Sequence, residues 1–135
     1  NFTFLNTGSP HHIEMVTDVK NCDIYNKGKE IRYSDYYAPG GTNVNFVEKI
    51  SNDYFKVRTY ERGVEDETYS CGTGATAVAI AMFENKITNK NAIQIEVPGG
   101  MLVVSFDKNE AGIYENVILS GPAKKVFESD ITVVL

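Results

Sequence analysis

The sequence predicts an α+β domain, a mostly antiparallel sheet wrapped around one central buried helix. Three observations predict it. Most of the chain falls into short runs of alternating apolar and polar residues separated by turn residues, the pattern of strands. One segment, 72–85, has helical composition, with Ala75, Ala77, Ala79 and Ala81 interleaved with Val78, Ile80, Met82 and Phe83. That segment carries no charge before Glu84, and a helix without a polar face has to be enclosed by protein. At 135 residues the chain reads as one domain, large enough to build a core without disulfides or a structural metal.

Taken in order, 2–5 and 12–19 are rich in strand formers. Segments 45–50 and 54–60 alternate, the second with Phe55, Val57 and Thr59 on one face and Lys56 and Arg58 on the other. Between these strands, 6–12 and 40–45 are rich in Gly, Asn, Ser and Thr and read as loops, where recognition residues collect. Segment 64–70 is acidic and polar. After the helix, 92–97 places Ile93, Ile95 and Val97 on one side, Pro98-Gly99-Gly100 signals a turn, and 101–106 returns, which makes a hairpin. Segments 114–120 and 124–127 are weaker strands, and 131–135 is a last apolar run. The sequence contains no internal repeat, low-complexity tract or linker.

Composition excludes several function classes. With 18 acidic and 13 basic side chains the net charge is -5, which disfavours nucleic acid and anionic membrane as partners. No run reaches the ~18 apolar residues of a spanning helix. The two cysteines, Cys22 and Cys71, can form at most one disulfide, and a reducing, cytoplasmic compartment is expected. His11, His12 and two isolated cysteines lack the short spacings of a zinc site, so no metal is expected.

The chemistry-bearing feature is the start of the buried helix, Ser70-Cys71-Gly72-Thr73-Gly74. The first amides of a helix have no intrahelical acceptor, and the macrodipole adds positive charge there. Glycines let a ligand approach that backbone, so the segment is suited to a carboxylate or phosphate. The same field stabilises a cysteine as thiolate, which favours a reactive Cys71 over a small buried hydrophobe. Upstream, Tyr60-Glu61-Arg62-Gly63 ends a predicted strand. Such a Glu-Arg pair is ordinarily a solvated surface feature, but its nearness in sequence to Cys71 gives Arg62 a chance to line the same cleft, where its fork suits a carboxylate. Gly72-Thr73-Gly74-Ala75-Thr76-Ala77 also fits a dinucleotide fingerprint, with Glu96 further on. The polar segment before it and the lack of strand–helix alternation argue against that reading. There is no P-loop, and a Cys–His hydrolase built on His11 or His12 lacks an obvious orienting acid.

These residues resemble the diaminopimelate epimerase family. Thr7-Gly8-Ser9-Pro10-His11, Gly41-Thr42-Asn43-Val44-Asn45-Phe46, Arg58-Thr59-Tyr60-Glu61-Arg62-Gly63 and Glu67-Thr68-Tyr69-Ser70-Cys71-Gly72-Thr73-Gly74 look like four family motifs in the family's order. Pro98-Gly99-Gly100 and Ser120-Gly121-Pro122-Ala123 add two more. The resemblance covers essentially the whole chain but only about half of the family's protein, its C-terminal domain. It implies two similar domains facing each other across a cleft. It also implies interconversion of LL- and meso-diaminopimelate, in lysine and peptidoglycan synthesis, by two cysteines without pyridoxal phosphate or metal. Cys71 is similar to the cysteine of the C-terminal domain; its partner would lie in an N-terminal domain absent from this chain. Cys22, in Lys20-Asn21-Cys22-Asp23, has no glycine-rich helix start and does not replace it.

By the same resemblance, the amides of Gly72 and Thr73 hold the reacting carboxylate. Asn43, Glu61 and Arg62 grip the distal amino-acid end, and Ser9 and His11 lie near the cleft. The Val64-Glu65-Asp66 loop is one residue longer than in many members and lacks their second glycine. The related proline racemase and phenazine-type isomerases share the fold but generally lack Glu61-Arg62-Gly63 combined with Glu67-Thr68, so they rank second. An inactive fragment that only binds a ligand or partner is the reading from another class, and a homodimer stays open.

Overall fold

The computed structural model describes residues 2–133. Its elements are β1 (Phe2–Asn6), β2 (Pro10–Met15), α1 (Ile24–Arg32), a short 3-10 turn (Asp35–Tyr37), β3 (Asn43–Lys49), β4 (Tyr54–Glu61), β5 (Asp66–Thr68), α2 (Gly72–Glu84), β6 (Ala92–Val97), β7 (Gly100–Lys108) and β8 (Tyr114–Ser120). The expected α+β class holds, but the sheet is mixed and there are two α-helices instead of one. The two departures have one cause. Parallel neighbours cannot be joined by a tight turn and need a crossover. Helix α1 is the crossover between parallel β2 and β3, and α2 lies in the crossover between parallel β4 and β6. The remaining pairings are antiparallel.

The eight strands form one sheet in the order β1-β2-β3-β4-β6-β7-β8, and β5 shares with β6 the free edge of β4. Helix α2 packs against β1, β2 and β3 and also against β6 and β7. In a flat sheet β1 and β7 would stand roughly 24 Å apart at the usual ~4.8 Å spacing. A helix about 10–12 Å across cannot touch both, so the sheet curls. The residues that drive the curl are those read as a helix without a polar face. Ala75 and the run from Ala77 to Met82 are buried against Ile13, Val47, Phe55, Val57, Ile93, Ile95, Val104 and Phe106.

A second core lies on the opposite face of β3 and β4, where α1 covers them. It contains Val19, Ile24, Val44, Phe46 and Tyr60. Strand β3 is therefore buried on both faces from Asn43 to Val47. Helix α1 escapes a hydrophobicity reading because its contact stripe is Ile24, Gly28 and Ile31, with a glycine at its centre. A Cβ at Gly28 would stand 2.7 Å from Tyr60 Cγ, so the helix lies closer to β4 than any side chain allows. Asp23 starts the helix by accepting a hydrogen bond from the Asn26 amide at 3.1 Å.

Other expectations are corrected. The strand expected over 12–19 is Pro10–Met15, because pairing with β3 ends at Met15 and the chain then turns toward α1. His11 and Asn43, expected in loops, lie on paired strands, as do His12 and Asn45, which the sequence reading places at the junctions of loop and strand. Segment 64–70 contains the short strand β5. Segments 124–127 and 131–133 form no strand, and 134–135 lie outside the described residues. Among the described residues, no helix is long and apolar enough to cross a membrane.

Gly28→Ala is expected to destabilise the chain by about 1–3 kcal/mol in urea unfolding, because overpacking against Tyr60 outweighs alanine's better helix propensity. A stability equal to or above wild type would show that α1 can move away from β4 freely.

Candidate functional site

Cys71 is the N-cap of α2. Its backbone is extended (φ -130, ψ 106), and its side chain makes no cap bond. Its position is set from both sides. Two residues upstream, the Tyr69 carbonyl accepts the Gly99 amide at 2.7 Å, and a Cβ at Gly99 would stand 2.9 Å from that oxygen. The tight Pro98-Gly99 turn thus holds the approach to Cys71. Downstream, a Cβ at Gly74 would meet Asn45 Oδ1 at 2.6 Å and Cys71 Sγ at 3.2 Å. Glycine there leaves the first turn of the helix bare beside the sulfur. The first intrahelical acceptor, the Cys71 carbonyl, takes the Ala75 amide at 2.9 Å, so the amides of Gly72 and Thr73 lie outside the helical ladder.

Polar side chains from three elements meet Thr73. Its Oγ1 lies 3.6 Å from Cys71 Sγ, 3.0 Å from Ser9 Oγ and 3.0 Å from His11 Nε2. Ser9 Oγ is itself 2.9 Å from His11 Nε2, and Thr7 donates to the Thr73 carbonyl at 2.8 Å. His11 is fully buried on β2. Asn45 Nδ2 lies 3.2 Å from its Nδ1, and Thr59 donates to Asn45 Oδ1 at 3.0 Å. Burial first, and the Arg62 charge second, push the His11 pKa down to about 4.

A second group adjoins the first. Asn43 donates to the Pro10 carbonyl at 2.9 Å and, more weakly, to Ser9 Oγ at 3.4 Å. Its Oδ1 accepts the Arg62 amide at 2.9 Å. The Arg62 guanidinium donates to the Gly40 carbonyl at 3.1 Å and forms no ion pair among the described residues. Glu61 accepts the Thr68 hydroxyl at 2.8 Å.

The structure therefore brings Ser9, His11, Thr73 and Cys71 into one hydrogen-bonded group, links Asn43 and Arg62 to it, and ties Glu61 to the segment leading into Cys71. Cys22 lies elsewhere, against the core under α1. Both cysteines are free. Sequence reading singled out none of Asn45, Thr59 and Thr68. Asn45 was findable in principle, since Asn43 and Asn45 share a face of one strand.

His11 couples the site to stability. Its pKa is lowered from 6.5 to about 4, so the unfolded chain binds more protons between those values. Stability from this group is complete above the unfolded value and is lost as pH falls through the window, by about 3 kcal/mol at most. Unfolding midpoints measured between pH 7 and 4 should fall more steeply for wild type than for His11→Gln. Parallel curves would show that His11 is not held neutral.

Diaminopimelate epimerase is the family whose model matches this chain, over residues 3–126. A diaminopimelate epimerase of Flavobacterium psychrophilum is 56% identical over 131 residues, which are 97% of this chain and 51% of that protein. One from Aquifex aeolicus is 42% identical, covering 96% of this chain and 45% of that protein. The chain thus spans about half the length of the curated relatives it matches. Among solved structures, a phenazine biosynthesis protein of the PhzF family from Bacillus anthracis superposes with a TM-score of 0.56 at 22% identity, over 84% of this chain and 36% of that one. A probable proline racemase from Agrobacterium radiobacter gives a TM-score of 0.56 at 12% identity, over 83% and 39%. These two likenesses speak for the fold alone. Sequence match and site motifs together place the chain in the diaminopimelate epimerase family.

Proposed function

We propose that this chain is the C-terminal half of an enzyme that epimerises LL-diaminopimelate to meso-diaminopimelate, and that Cys71 is one of its two acid/base thiols. The observation that carries the reading is Cys71 at the bare start of α2, hydrogen-bonded to Thr73 beside Ser9 and His11, in a chain of this family. Epimerisation has to remove a proton from one face of the α-carbon and add one to the other. A single base that returned its own proton would mostly restore the starting stereochemistry. One thiolate takes the α-proton and becomes a thiol; a second thiol gives its proton to the opposite face and becomes a thiolate. Cys71 fills one role in each direction, and an absent N-terminal half supplies the other thiol.

Removing that proton builds negative charge on the adjacent carboxylate. The amides of Gly72 and Thr73 meet it with preorganised donors in a site closed from water by the second half. The chemistry calls for neither pyridoxal phosphate nor a metal. At the distal end Arg62, free of a carboxylate partner among the described residues, pairs with the second carboxylate. Glu61 has one oxygen on Thr68 and the other available for the distal ammonium. Asn43 has both ends of its amide engaged, so its part is to hold the Arg62 backbone in place. Diaminopimelate is the small-molecule partner, and the N-terminal half is the protein partner. The reducing cytoplasm, where two thiols stay free, is the compartment. The racemase and phenazine-type alternatives are less favoured, since their likeness is in the fold alone.

Formation of the meso product from the LL-isomer tests the reading. The chain alone should show no turnover; mixing with a separately produced N-terminal half of a relative should restore it, and Cys71→Ala should abolish it again. Turnover by the chain alone that survives Cys22→Ala would overturn the two-half mechanism. In the assembled enzyme, Arg62→Ala should raise KM for diaminopimelate with a smaller change in kcat. Arg62→Lys should not fully rescue it, since a point charge does not reproduce the fork. A collapsed kcat at unchanged KM would move Arg62 from the distal carboxylate to the reacting centre.

A further inference from the structure

We infer that Asn45 is a positioning residue that fixes His11 in one neutral tautomer and thereby turns the Thr73 hydroxyl toward the sulfur of Cys71. Only the last link, to the sulfur, rests on the reading of Cys71 as an acid/base thiol.

The argument is one of donors and acceptors. The His12 carbonyl, 2.9 Å from Asn45 Nδ2, can only accept, and the Thr59 hydroxyl faces Asn45 Oδ1 at 3.0 Å. These two contacts set the orientation of the amide. A flipped Asn45 would put oxygen against a carbonyl oxygen. The second hydrogen of Nδ2 is then directed at His11 Nδ1, 3.2 Å away, which therefore accepts. A neutral His11 that accepts at Nδ1 carries its proton on Nε2. Among the described residues that nitrogen faces only hydroxyls, Ser9 at 2.9 Å and Thr73 at 3.0 Å, and donates to them.

The remaining protons follow. Ser9 Oγ accepts from His11 and from Asn43 Nδ2, so its own hydrogen goes to Thr73 Oγ1, 3.0 Å away. Thr73 accepts from both Ser9 and His11, and its hydrogen is left for Cys71 Sγ at 3.6 Å. A buried amide that makes no hydrogen bond to the sulfur thus decides that Cys71 receives one. The space for that amide depends on Gly74, where a Cβ would lie 2.6 Å from Asn45 Oδ1. Protonating His11 at Nδ1 would set a donor against the Asn45 amide, which agrees with the low basicity of this ring.

The experiment follows the ring nitrogens of His11 by 15N NMR in the chain, together with the rate of Cys71 alkylation by iodoacetamide in a Cys22→Ala background. In the wild-type ring, Nδ1 should be pyridine-like and Nε2 pyrrole-like. Asn45→Asp, which offers an acceptor, should place a proton on Nδ1 and slow Cys71 alkylation by about tenfold, the scale of one lost hydrogen bond to a charged group. Thr73→Val should slow alkylation to a similar degree with His11 unchanged, and Thr73→Ser should keep the wild-type rate. A pyrrole-like Nδ1 in wild type overturns the proposal, and so does unchanged alkylation in Thr73→Val. If Asn45→Asp does not fold, those two measurements still decide it. Neither readout uses epimerase turnover, so failure of the two-half mechanism would leave the tautomer result standing.

Discussion

The constraint on which this structure turns is the enclosure of α2. A helix whose residues from Ala77 to Met82 are all buried cannot lie on a sheet; it has to lie within one. Strands on both sides of the central β4 reach it, and the sheet bends to let them. Such a helix is apolar along its length but not at its ends, where backbone groups are left over. At its C-terminus the following turn takes up leftover carbonyls of Ala81, Met82 and Phe83, and at its N-terminus the core has to present polarity of its own. The chain puts Cys71, two glycines and a threonine there, and no charged side chain.

The neighbouring strands answer with a polar layer. His11, Asn45 and Thr59 are buried at this end of the core, and their partners are one another, Thr73, Ser9 and a backbone carbonyl. Among the described residues, no buried side-chain nitrogen or oxygen lacks a partner. A satisfied buried network is rigid, because moving any member strands another. The helix start and the β2 and β3 side chains thus form one unit, and the low basicity of His11 keeps that unit uncharged near neutral pH.

What could be read in the sequence and what could not divide along physical lines. Strands buried on one face alternate, so β4 and the β6–β7 hairpin are legible: Phe55 and Val57, then Ile93, Ile95 and Val97, face the core as their spacing requires. Helix α2 is legible from composition alone. Helix α1 is not, because its closest contact is made by Gly28, a residue that ordinarily signals a break. Without α1 there is no crossover between β2 and β3, and the sheet reads as more antiparallel than it is. Strand β3 misleads in another way. It is buried on both faces, so Asn43 and Asn45 stand where apolar residues are usual, and the start of the strand reads as loop. The motif at Cys71 was visible, but its setting was not, since Asn45 and Thr59 reach it only through strand pairing.

The loop after Arg62 shows how the two parts of the site stay in register. Glu65 sits in the left-handed region, at φ 61, where a non-glycine residue is strained. Three contacts hold it there: its carboxylate accepts the Arg32 guanidinium at 2.9 Å, the Gly63 amide at 3.0 Å and, more weakly, the Tyr60 hydroxyl at 3.4 Å. The other end of the pair is wedged as well. A Cβ at Gly41 would stand 2.6 Å from Arg32 Cζ, so this arginine lies directly beneath the loop whose Gly40 carbonyl receives Arg62. Beyond Glu65 the chain rejoins β4, where Asp66 pairs with Glu61, Glu67 with Tyr60 and Thr68 with Thr59. The loop therefore closes before β5 begins. Arg62 leaves the end of β4, and Cys71 follows β5, which is paired to that same end. Both are measured from one strand, so the length of the loop does not set the distance between them.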